Sequence, residues 1–120
     1  MKINGIQSNN QPQFKARLIT NRFFHEGIMT ELERKARNIG THRDLIELHY
    51  EDPITEAKSY FFDETINEVS EGFTAMFRKN GKYNRADKMQ TKIFANDMLE
   101  LDSLEADYAV DYINRLDAKY

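Results

Sequence analysis

The run Asp63-Glu64-Thr65-Ile66-Asn67-Glu68-Val69-Ser70-Glu71-Gly72-Phe73-Thr74-Ala75-Met76-Phe77-Arg78-Lys79-Asn80-Gly81 decides how the second half of the chain reads. Ile66, Val69, Phe73, Met76 and Phe77 recur at helical spacing and form one apolar stripe. Asp63 can cap the start of such a helix, and Asn80-Gly81 can end it. Two further helices are predicted downstream. Asn84 can cap one carrying Met89, Ile93, Phe94 and Met98. Asp102 with Glu105 three residues later resembles a capping box opening the last, which buries Leu104, Tyr108, Tyr112, Ile113 and Leu116.

Upstream of that run the period changes. Phe14, Ala16 and Leu18 alternate with Lys15 and Arg17, the pattern of a half-buried strand. Phe24, Ile28, Leu32, Ala36 and Ile39 then fall at helical spacing, with Gly40 where a left-handed cap is expected. From Asp44 to Glu51 alternation returns, placing Ile46, Leu48 and Tyr50 on one face and Glu47, His49 and Glu51 on the other. Asp52-Pro53 breaks that strand. Ile54 to Phe62 fits either a helix opened by Asp52-Pro53 or a second hairpin strand; the β-prone run Ser59-Tyr60-Phe61-Phe62 favours the strand. The expected order is β-α-β-β-α-α-α, a three-stranded sheet followed by three helices in a two-layer α+β domain. That single domain spans 14–120, after a flexible polar leader at 1–13.

The opening Met1-Lys2-Ile3-Asn4, the polar leader, Phe14-Lys15-Ala16-Arg17-Leu18-Ile19 and Asn38-Ile39-Gly40-Thr41 resemble small uncharacterised bacterial proteins of similar layout. The resemblance covers about the first 50 residues, implies a bacterial source and carries no activity.

Charge comes in blocks of alternating sign. Residues 14–44 hold seven basic against four acidic residues, and 45–71 hold one against eight. Residues 78–92 hold six against one, and the stretch from Asn96 holds two against seven. With Lys2 these give the net −3 of the 120-residue chain, so a small total conceals a polarised surface. The apolar content of 40% supports a real core. The absence of cysteine excludes disulfides and thiolate metal sites, and the leader lacks the apolar stretch of a secretory signal. No run could span a membrane. A cytoplasmic protein with no cofactor is expected.

The strongest candidate contact surface is the basic connection between the second and third predicted helices: Arg78, Lys79, Lys82, Tyr83 and Arg85. Clustered cations, a glycine and a stacking aromatic are what a phosphate or RNA grip uses, and Arg34, Lys35 and Arg37 could join it. Cations in a solvated turn are the plainer explanation. A helix-turn-helix around Ala36, Ile39, Gly40 and Ile46 fails because His42 to Asp52 is acidic and would repel DNA. Glu47, His49 and Glu51 stand too far apart along a strand to ligate one ion unaided. Asp97, Glu100, Asp102, Glu105 and Asp107 lack the glycine of a calcium loop and read as caps, solvated faces or a docking surface for a basic partner. No serine sits in a Gly-x-Ser-x-Gly elbow. The leading expectation is a non-enzymatic interaction module that binds a protein partner or itself, with nucleic-acid binding or an acidic mimic as alternatives.

Overall fold

The computed structural model describes residues 15–59, 65–83 and 87–120, with side chains described for 15–57, 67–82 and 87–120. The chain runs β1 (Arg17–Thr20), α1 (Glu26–Ala36), β2 (Leu45–Tyr50), β3 (Ile54–Ser59), β4 (Thr65–Lys79), β5 (Lys82–Tyr83), β6 (Met89–Ala95) and α2 (Met98–Lys119). The leader at 1–13 lies outside the described residues.

β1, α1 and β2 match the alternation and spacing that predict them. β1 and β2 pair in parallel, Leu18 beside Ile46, and α1 provides the crossover that parallel strands need. The strand at 45–50 also rules out the helix-turn-helix. Ile54 to Ser59 is strand, but it pairs with β4 and not with β2, so it is not the second arm of the expected hairpin; residues 60–62 of that expectation lie outside the described residues.

The second half corrects the expected architecture. The run from Thr65 to Lys79 is one long central strand, and Met89 to Ala95 is another. The α+β class holds, but the described residues form six strand segments and two helices instead of three and four. The physical reason lies in which residues are buried. On β4 Val69, Glu71, Phe73, Ala75 and Phe77 are buried with a period of two, and Ser70 is buried among them. One member is charged and one small, so the apolar residues alone imitate a helix.

β4 organises the sheet. β2 and β3 lie end to end along one of its edges, Tyr50 opposite Phe73 and Ile54 opposite Ser70. Three residues, 51–53, therefore face the two at 71 and 72, which is a bulge, and Glu51 N–H bonds the Gly72 carbonyl at 2.9 Å across it. Pro53, with no donor to lose, sits in this break. β6 and β5 occupy the other edge. The connection from β4 to β5 is a two-residue Asn80-Gly81 turn with φ of 55° and 77°, as a tight hairpin requires.

Both helices cover the same sheet face. Leu32 and Ala36 of α1, with Leu101, Ala109, Tyr112, Ile113 and Leu116 of α2, close over Ile46, Leu48, Tyr50, Phe73, Phe77 and Ile93. α2 begins earlier than expected: Asp97 caps it, its carboxylate accepting from the Glu100 N–H at 2.8 Å, and Glu100 accepts from the Asn96 N–H at 2.7 Å. Asp102 and Glu105 therefore lie inside the helix.

Candidate functional site

The loop Asn21–His25 between β1 and α1 carries the first part of the site. Asn21 is locked to Tyr50 by two bonds: its amide donates to the Tyr50 carbonyl at 2.7 Å, and the Tyr50 N–H donates to its side-chain oxygen at 2.8 Å. Arg22 turns inward. Its Nε meets Glu105 at 3.0 Å, and one terminal nitrogen meets both Glu71 at 3.0 Å and the Glu51 carbonyl at 2.9 Å. The guanidinium also stands 5.7 Å from the centre of the Tyr50 ring. Phe24 packs edge-on against Tyr50, and His25 caps α1 by accepting from the Gly27 N–H.

Glu71 and Glu105 share this one guanidinium. The Glu71 side chain is wholly enclosed, and its Oε1 has no hydrogen-bond partner. Burial, reinforced by the nearby Glu105 and opposed by Arg22, pushes the Glu71 carboxyl up to about 8. At neutral pH it is therefore largely a neutral acid beside the Arg22 guanidinium. The Tyr50 hydroxyl donates to the Glu105 carbonyl at 2.9 Å and completes the network.

Between its anchored neighbours Arg22 and Phe24, Phe23 is held out with 94% of its surface in solvent. It lines a groove of about 690 Å³ with Met98 and Leu99, which are 48% and 81% exposed on the first turn of α2. Arg22 and Glu105 belong to the same lining, and Asp52, Asp102 and Asp107 add carboxylates. Asp52 comes from the first acidic block and the α2 residues from the second, so the two blocks meet here.

The sequence-predicted contact residues are spread over a hairpin, not the expected inter-helix turn. Arg78 is paired with Glu47 across the sheet. Lys79 lies 5.0 Å from the centre of the Tyr120 ring, and Lys82 is exposed on β5. The Tyr83 backbone pairs with Arg78, while its side chain and the whole of Arg85 lie outside the described residues. Arg34 pairs with Glu31 and Lys35 with Asn114. Of the five acids suspected of docking, Asp102, Glu105 and Asp107 reach the groove, whereas Asp97 and Glu100 serve the helix start. Phe23, Arg22 and Glu71 were missed. The available signal was a charged residue at an interior position of an alternating run. Among the described residues no three His, Asp or Glu side chains gather as a metal site.

No family model matches the chain, and no curated protein does. Among solved structures, the rare lipoprotein B from Shewanella oneidensis is similar with a TM-score of 0.50 and 11% identity, over 88% of this chain and 95% of that one. A minor lipoprotein from Acinetobacter baumannii is similar with a TM-score of 0.48 and 11% identity, over 89% and 94%. At this identity the first likeness concerns the fold alone. The Shewanella neighbour is named as a lipoprotein, which runs against the cytoplasmic placement expected from the sequence. That expectation rested on a missing apolar leader and missing cysteine, neither of which fixes a compartment, and it is withdrawn. No helix of the described residues is long and apolar enough to cross a membrane.

Proposed function

We propose that the chain is an interaction module that docks a protein partner through the groove between Phe23 and the start of α2. The observation that carries this reading is Phe23, presented to solvent while the residues on either side of it are fixed. Leaving a Phe side chain uncovered forgoes about 2 kcal/mol of burial, and a partner that covers it recovers that term without first ordering the loop. Leu99 and Met98 extend the apolar surface across the groove. The carboxylates of Asp52, Asp102 and Asp107 set the partner's chemistry: a bulky apolar side chain flanked by Lys or Arg.

A phosphate or RNA grip at 78–85 draws less support, since Arg78 already faces Glu47 and Lys79 the Tyr120 ring. One experiment separates the two. The purified chain is used as bait at low salt, with and without nuclease, beside a Phe23→Ser/Leu99→Ser form. Docking predicts a protein partner that survives nuclease and is lost with the double variant. Capture that vanishes with nuclease, or that ignores the two substitutions, contradicts it.

A further inference from the structure

β1 is the terminal strand on its side of the sheet: among the described residues it pairs only with β2. Its ladder shows which groups point outward. The Arg17 N–H bonds the Asp44 carbonyl and the Asn21 N–H bonds the Leu48 carbonyl, so residues 17, 19 and 21 address β2. By the alternation of a strand, Leu18 and Thr20 turn their N–H and C=O groups away from the sheet. Among the described residues this edge has no strand partner, and an extended peptide can add to it.

The ground beside that edge is basic. A cavity of about 360 Å³ opens between β1 and the C-terminal part of α1, with Lys15, Arg17, Arg37 and His42 in its lining and Glu33 as the sole acid there. Bonds from Lys15 N–H to the Arg37 carbonyl and from Ala16 N–H to the Ile39 carbonyl bring these segments together. Lys15 and Arg17 share one face of the extended chain about 7 Å apart, the spacing of alternate residues on an added strand. A small anion would use the cations and leave the edge idle; a strand with acids at alternate positions uses both.

We infer that the outer edge of β1 receives an extended acidic peptide segment as an added strand, its main chain bonded to Leu18 and Thr20 and its carboxylates held by Lys15, Arg17 and Arg37. This surface is separate from the groove at Phe23 and calls for the opposite charge in its partner.

The probe is a short capped peptide alternating Glu with Thr, added to the full isotope-labelled chain and followed by amide spectra and hydrogen exchange. The expected result is binding at low salt, exchange of the Leu18 and Thr20 amides slowed about tenfold or more, and affinity about tenfold weaker in Arg17→Ala/Arg37→Ala at unchanged melting temperature. The same peptide with Lys for Glu is expected not to bind. Absence of binding, binding that leaves Leu18 and Thr20 exchange unchanged, or full displacement by inorganic phosphate would overturn the inference.

Discussion

Glu71 is the residue on which fold and site both turn. It occupies an interior position of β4 opposite Ile93, where an apolar side chain would otherwise complete the stripe. A buried carboxylate with one guanidinium shared between two acids is costly, and the protein meets that cost by keeping Glu71 protonated. The pH dependence follows with a definite sign. Unfolded, Glu71 loses its proton near the ordinary value of 4.5, whereas folded it keeps it up to about 8. Unfolding in that interval releases a proton, so this group's contribution to stability is complete below the lower value and is lost as pH rises through the upper one. Glu71→Gln retains an acceptor for Arg22 and removes the titration. Urea midpoints across the interval are expected to fall with rising pH in the wild type relative to Glu71→Gln, the two series running parallel above it. Equal slopes throughout would refute the assignment.

At the scale of elements, β2 and α1 could be read from sequence because their buried residues are all apolar. Ile46, Leu48 and Tyr50 alternate without interruption, and Leu32, Ala36 and Ile39 recur cleanly at helical spacing. β4 and β6 show no such plain pattern. Glu71 and Ala75 interrupt one stripe, and on β6 the exposed Phe94 lies between the buried Ile93 and Ala95, so the large residues there mark no single face. The start of α2 was misplaced for a related reason: Asp97 and Asp102 each have an acid three residues on, and only the structure shows which carboxylate meets a free N–H. Asp97→Ala is accordingly expected to lower stability by about 1 kcal/mol, while Asp102→Ala leaves it within a few tenths. Chemical denaturation of the two variants side by side checks this, and the reverse order would contradict the cap.

For the molecule as a whole, the charge blocks were legible from the start and their assembly was not. The two acidic blocks lie some fifty positions apart in the chain and meet at one groove because α2 packs beside the bulge between β2 and β3. The basic run at 78–92 instead opens along the β4–β5 hairpin and β6, where Arg78 faces Glu47 and Lys79 the Tyr120 ring. Sequence blocks thus fixed the sign of the surfaces, and topology decided which became continuous. The central claim is that the acid-rimmed groove beside Phe23 binds an apolar anchor flanked by basic residues. Its most direct test is a random-peptide display selection on the wild-type chain, with the enriched peptides then measured against Phe23→Ser and Leu99→Ser. The account predicts enrichment of a bulky apolar residue next to Lys or Arg, and affinity about tenfold lower in each variant at unchanged melting temperature. Enriched peptides without that pattern, or ones that bind both variants as tightly as the wild type, would contradict it.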